Sequence, residues 1–232
     1  FELSSKEINK IIQNAKIDAN ITDQIRVAYQ QLDQANLSVA VRSSANAEDL
    51  PDFSFAGQQE TFLNVSGEDE VVLAVKKCWS SLWTAQAISY RHQNGIDQSS
   101  VAMGVVVQVM IPSEVSGILF TANPTNGERS EMIVNSSFGL GEAVVGGQVT
   151  PDTFIVDRTT LTSKETILGP KEHQIVYDGD QGIKIEKVSE SNQGISSLSD
   201  SMLTELCNAA LKVEALYELS LIHISEPTRQ SS

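Results

Sequence analysis

The chain has 232 residues, 41% of them apolar and 20% charged, with a formal net charge of -14. That length can bury a substantial core in one globular unit with subdomains, and the composition argues against wholesale disorder. The negative charge disfavours nucleic acid and anionic membranes as partners, and the densest basic cluster, Lys76-Lys77, is too small to override it.

No run approaches the roughly 18 apolar residues of a membrane span, and the N-terminus lacks a signal peptide's basic and apolar regions. Cys78 and Cys207 each sit in an apolar helical pattern, which predicts buried free thiols rather than a disulfide and so a reducing cytoplasm. The chain opens on Phe1, only a few residues before a helix start, and so reads as cut at the front. At the other end, Leu219 to Arg229 breaks the preceding helical period and resembles the in-frame translation of a transposase sequencing adapter. Residues 219–232 are therefore read as an artefactual tail that is not expected to belong to the fold.

In chain order, Ser4 with Glu7 makes a capping-box pattern ahead of Ile8, Ile11 and Ile12, and Asn20 precedes Ile21, Ile25, Val27, Ala28 and Leu32. Two helices are expected there. Ser38 to Arg42 reads as a strand feeding a polar loop, Ser43 to Gln58, and Glu60 to Val65 as the next strand. Ser66 with Asp69 suggests a cap for a helix carrying Val71, Val72, Val75, Cys78, Trp79 and Leu82. Thr84 to Asn94 is a further helix, stopped by Gly95. Trp79 and Trp83, one turn apart, read as core packing.

Val101 to Met110 is almost continuously apolar and β-branched, which predicts a strand buried on both faces. Short strands are then expected at Gly117–Ala122, Glu131–Asn135, Thr153–Val156, Lys164–Leu168, His173–Tyr177 and Ile183–Val188. A helix from Asp200 to Glu218, with Met202, Leu206, Ala209, Val213 and Leu216 on one face, closes the chain. The fold class is thus α+β, divided into a mixed lobe over 1–111 and a β-rich lobe over 112–218. Two lobes joined by a strand suit a ligand clamped between them.

The chemistry concentrates in Val39-Ala-Val-Arg-Ser-Ser-Ala-Asn-Ala-Glu-Asp-Leu-Pro51 and Phe53-Ser-Phe-Ala-Gly-Gln-Gln-Glu-Thr61. Arg42 ends an apolar strand beside the small hydroxyls of Ser43 and Ser44, an arrangement suited to an anion such as phosphate. Gly57 lets backbone N–H groups approach a phosphate chain, and Thr61 can add a hydroxyl. The alternative is a surface arginine paired with Glu48 or Asp49 and a simple turn glycine. Gln108, inside Val105-Val-Val-Gln-Val-Met110, needs a partner if buried, and an adenine edge would satisfy it. Alternatively it points outward to solvent. Neither a G-x-G-x-x-G loop nor a G-x-x-x-x-G-K-[ST] loop is present, which excludes a dinucleotide fingerprint and a P-loop kinase.

These segments resemble the N-terminal ATP-binding domain shared by phosphoenolpyruvate synthase, pyruvate phosphate dikinase and rifampin phosphotransferase. Cys78-Trp-Ser-Ser-Leu-Trp83, Tyr90-Arg-His-Gln-Asn-Gly95, Gly117-Ile-Leu-Phe-Thr121 and Ser137-Phe-Gly-Leu-Gly-Glu-Ala-Val144 follow in the family's order, so the resemblance covers residues 38–218. It implies an ATP-grasp-like two-lobed domain, incomplete at both ends. Arg42 then contacts the ATP phosphates and serves catalysis, Gly57 and Thr61 belong to the loop over them, and Gln108 lies near the adenine. Arg91 is a further candidate for the phosphates, with a solvated helix arginine as the alternative.

The implied cofactors are ATP and Mg2+, with the family's lysine, acidic metal ligands and phosphorylated histidine all expected outside this segment. None of His92, His173 and His223 has the family histidine's Gly- and Thr-rich setting, and no metal ligand is assigned within the chain. The implied activity of a full-length parent is transfer of phosphate from ATP to a histidine on another domain and then to pyruvate, with the fragment alone inactive. Two other readings stay open. One is the ATP domain of a rifampin phosphotransferase-like antibiotic kinase; the other is a non-catalytic nucleotide-binding module or inert fragment.

Overall fold

The computed structural model describes residues 1–32, 37–45, 49–50, 53–54, 60–217 and 222–225, with only the backbone course defined for 49–50, 53–54 and 222–225. It is a mixed α/β chain with antiparallel sheets. Two compact units are present: Phe1–Met110 with Tyr177–Ile183, and Ile111–Val176 with Lys184–Ser232.

The first unit opens with helix α1 (Glu2–Asn14), so Ser4 and Glu7 lie inside it rather than at its cap. Tertiary bonds explain the difference: Ser5 Oγ donates to Trp83 O at 2.8 Å, and Asn9 Nδ2 donates to the same oxygen at 3.0 Å. The serine next to the expected cap ties this helix to the turn at Trp83. Helix α2 (Ala19–Gln30) is capped by Asp18, whose carboxylate accepts from Asn20 N at 2.9 Å, two residues before the expected cap. Strands β1 (Val39–Ala45), β2 (Asp49–Leu50), β3 (Phe53–Ser54) and β4 (Thr61–Val65) follow.

Helix α3 (Glu68–Ser81) starts after Gly67, at φ 93°, not from a Ser66 cap. Its first-turn Glu68, Asp69 and Glu70 complement the helix dipole, and Gly67 N donates to Tyr29 Oη at 3.0 Å. Helix α4 (Ala85–Gln93) has the expected boundaries, with Thr84 Oγ1 accepting from Ala87 N at 3.2 Å and Gly95 at φ 66° beyond its end.

Strand β5 (Met103–Val109) completes a three-stranded sheet of order β4-β1-β5, antiparallel throughout. Val39 and Val41 pack with Tyr29, Val71, Ala74, Val75 and Cys78, while Phe62, Trp79, Met103, Val105 and Val107 seal that core. β5 is not buried on both faces, because Val106 is 51% exposed and the strand alternates. Its β-branched run satisfies the pleat, and such composition does not report whether a second layer covers it.

The second unit is built on a meander of β6 (Val115–Phe120), β7 (Glu131–Phe138), β8 (Asp152–Asp157) and β9 (Ser163–Ile167), with the short helix α5 (Glu142–Val145) between β7 and β8. Strands β10 (His173–Tyr177) and β11 (Ile183–Lys187) form a hairpin whose turn belongs to the first unit. Helices α6 (Glu190–Gln193) and α7 (Asp200–Tyr217) follow, and β12 (Ile222–Ser225) pairs with β6.

Helix α7 buries Leu203 and Cys207 against Leu119, Met132, Val134, Phe154 and Val156. Of the expected face, Met202 and Leu206 pack partly buried against this core, while Val213 is 39% and Leu216 78% exposed. Apolar residues occupy more than one stripe of this helix, and only contact with the sheet selects among them.

At the start of β8 the fully buried Asp152 pairs with the fully buried Lys171. Lys171 Nζ donates to Asp152 Oδ1 at 2.5 Å, to Gly169 O at 2.8 Å and to Gln193 O at 3.2 Å. Asp152 also accepts from Gly169 N, Ser197 N and Ser197 Oγ. Every proton of the ammonium is used, which is the condition under which a buried ion pair is tolerated.

Candidate functional site

Strand alternation sorts the three-stranded sheet into two faces. Val39, Val41, Val105 and Val107 point into the core. The opposite face carries Arg42, with Val106 of β5 on one side of it and Thr61 of β4 on the other. Gln108 lies two residues beyond Val106, on the same face and about 7 Å along the strand. Three of the four site residues expected from sequence therefore share one side of one sheet. The fourth, Gly57, lies outside the described residues, as does Glu48.

Arg42 is exposed, and it makes no ion pair among the described residues. The ladder on both flanks fixes its backbone, paired with Thr61 on one side and Val106 on the other. Beside it, Ser43 Oγ donates to Glu60 O at 3.1 Å, fixing the approach to Thr61. Gly104 opposes Ser44, and a Cβ there would meet only Ser44 O, at 3.5 Å, so this end of the face is low and open.

Gln108 is exposed, so the outward-pointing alternative describes its position. A partner demanded by burial is not required of it. Of the two descriptions open for Arg91, the solvated one does not hold: the residue is 1% exposed on α4. Its Nε donates to Gln98 Oε1 at 2.7 Å and its Nη1 to Leu82 O at 2.8 Å, and the guanidinium stacks 5.2 Å from the Trp83 ring centre. Burial holds its pKa below the usual arginine range. Nη2 is buried with no hydrogen-bond partner.

Other motif residues have structural employment. Gly139 sits at φ 80°, where a Cβ would collide with Ile175 O, and Leu140 N donates to that oxygen at 2.8 Å. Cys78 and Cys207 are free and buried, and desolvation pushes both thiols up to about 11. His92 meets Phe1 edge-on, and His173 begins β10. A cavity of about 190 Å³ in the second unit, lined by Ala143, Val149, His173 and Ile185 among others, contains none of the residues expected from sequence.

An exposed cation directly opposite a hydroxyl, with an exposed amide further along the same face, is an arrangement that can take the phosphates and polar edge of a nucleotide. Among the described residues no group of three or more His, Cys, Asp or Glu could hold a metal ion, so they do not provide a Mg2+ site of that kind. Among them also, no helix is long and apolar enough to cross a membrane.

The chain thus presents an antiparallel sheet whose outer face displays an exposed arginine between Thr61 and Val106. It belongs to the pyruvate phosphate dikinase AMP/ATP-binding domain family, whose model matches residues 1–224. It is 44% identical over 220 residues to a probable phosphoenolpyruvate synthase of Pyrococcus abyssi, covering 90% of this chain and 27% of that protein. Similarity is comparable to the probable phosphoenolpyruvate synthase of Archaeoglobus fulgidus, at 46% over 217 residues, and to the phosphoenolpyruvate synthase of Deinococcus radiodurans, at 43% over 221 residues. Each of these two alignments covers 92% of this chain and 28% of the relative. The chain spans about a quarter of the length of these relatives.

Proposed function

We propose that this chain is the ATP-binding portion of a phosphoenolpyruvate synthase, an ATP-grasp-like two-lobed domain with lobes at 1–111 and 112–218. In the parent enzyme, phosphate passes from ATP to a histidine on another domain and then to pyruvate. Arg42 contacts the ATP phosphates, Gly57 and Thr61 belong to the loop that covers them, and Gln108 meets the adenine. Mg2+ neutralises the polyphosphate when bound, through carboxylates outside this segment. Phosphoryl transfer depends on positioning and charge neutralisation more than on covalent chemistry, which is why a guanidinium carried on a laddered strand matters.

The observation that carries this reading is the common face shared by Arg42, Thr61 and Gln108 in a chain of the AMP/ATP-binding family. The names of the relatives support pyruvate rather than an antibiotic as acceptor. The test is calorimetric titration of Mg-ATP onto the 232-residue chain and onto a parent-length protein containing it. Binding by the parent-length protein that is lost in Arg42→Ala is the expected result. Equal affinity in that variant removes Arg42 from the phosphate site, and tight binding by the short chain alone favours a self-sufficient nucleotide module.

A further inference from the structure

Asn64 is 2% exposed yet holds a left-handed backbone, φ 52°, at the irregularity where β4 pairs with β1. Asparagine enters this region more easily than most side chains, but a buried amide must still place both its donor and its acceptor. Here it does so completely. Oδ1 accepts from Ser38 Oγ at 2.7 Å, and Nδ2 donates to Gly182 O at 2.7 Å and Gly179 O at 3.3 Å. The backbone repeats the link, since Gly182 N donates to Asn64 O at 3.0 Å. Gln181 Nε2 adds a peripheral bond to Ser66 O at 3.3 Å.

The partners are significant for where the chain passes. The chain leaves or enters the first unit after Met110, before Tyr177 and after Ile183. Ser38, which donates to Asn64, also accepts from Met110 N through its carbonyl at 2.9 Å. The turn between Tyr177 and Ile183 is gripped through Gly179 and Gly182. One asparagine is therefore bonded to the turn that two of the crossings bound, and is one residue removed from the third.

We propose that Asn64 is a clasp that makes the turn Tyr177–Ile183 part of the first unit and anchors the two chain crossings bounding that turn to the sheet bearing Arg42 and Thr61. The amide, and not merely a residue tolerant of positive φ, is the operative group. Removing its donor leaves the Gly179 and Gly182 carbonyls without their side-chain partner, while the rest of the sheet keeps its ladder.

Hydrogen–deuterium exchange of the 232-residue chain, without nucleotide, tests this. Asn64→Asp keeps the acceptor for Ser38 and tolerates the backbone, but loses both donor bonds. Asn64→Gly keeps the backbone freedom and loses all side-chain bonds. Both are expected to speed exchange in peptides spanning 178–183 at least tenfold, with peptides of α3 and α7 unchanged, while Gln181→Ala leaves the turn within twofold of wild type. Unchanged exchange at 178–183 in Asn64→Asp overturns the proposal, as does equal acceleration in α3, which marks general loosening. Because no nucleotide is used, the outcome does not depend on whether the chain binds ATP.

Discussion

Arg42 and Thr61 are directly opposed across the β1–β4 ladder, on the face turned away from the Val41 and Cys78 core. Directly opposed side chains lie about 5 Å apart at Cβ, so one oxyanion can meet both the guanidinium and the hydroxyl. This relationship separates the proposed function from stability, because neither polar head belongs to the core.

Replacing Arg42 with alanine is accordingly expected to leave the melting temperature within a degree or two. If Arg42 has the proposed phosphate contact, its loss should weaken ATP binding by the parent-length protein roughly ten- to a hundredfold and abolish its turnover. Paired thermal denaturation and calorimetry separate the two effects.

Gln108 shares that face and is exposed, so Gln108→Ala should also fold normally. If its amide reads the adenine edge, the variant loses preference for ATP over GTP by roughly tenfold, the equivalent of about 1.4 kcal/mol. Competition binding with the two nucleotides on the parent-length protein measures this, and an unchanged ratio removes Gln108 from base recognition.

The Asp152–Lys171 pair is a stability element. Lys171→Met strands a buried carboxylate and should cost about 3–5 kcal/mol in urea denaturation. The double variant Lys171→Met with Asp152→Asn should recover part of that loss, since no unpaired charge remains. A double variant no better than the single one would mean that the hydrogen bonds to Gly169, Gln193 and Ser197, not the charge pair, dominate.

Arg91→Ala removes two hydrogen bonds and the stacking on Trp83 from a buried position, and should destabilise by about 2–3 kcal/mol. Arg91→Lys cannot reproduce the planar fork and should recover less than half of this. Chemical denaturation of the two variants beside wild type provides the comparison.

Both thiols titrate near 11 in the folded chain against an ordinary value of 9.0. Between those values the unfolded state has released protons that the folded state retains. Their contribution to stability is therefore full below about pH 9 and is lost as pH rises toward 11. Unfolding free energy measured from pH 8 to 11 should fall across that window. Neither thiol should react with a disulfide reagent at pH 8 until the chain unfolds.

Much of this architecture is legible in the residues themselves. Thr84 and Gly95 bracket α4 because a capping hydroxyl and a left-handed glycine are local devices. Strand β10 has its expected limits, and the free, buried state of Cys78 and Cys207 follows from their apolar helical surroundings. The start of α1 was not legible: Ser4 and Glu7 form a good local cap, but Ser5 and Asn9 are committed to Trp83, 78 and 74 residues away. The same applies to α7, where the sheet selects the stripe through Leu203 and Cys207.

By itself the sequence determined that this chain is α+β, and its family resemblance singled out Arg42, Gly57, Thr61 and Gln108 as candidate site residues. The first signal resides in local periodicity and turn chemistry, the second in short motifs spread over residues 39 to 144 and their family resemblance. Only the tertiary structure decided that Arg42, Thr61 and Gln108 occupy one face, that Arg91 is buried, and that Lys171 finds Asp152. Each depends on register or on contacts between distant segments, and a change of one residue in register reverses which side chains meet.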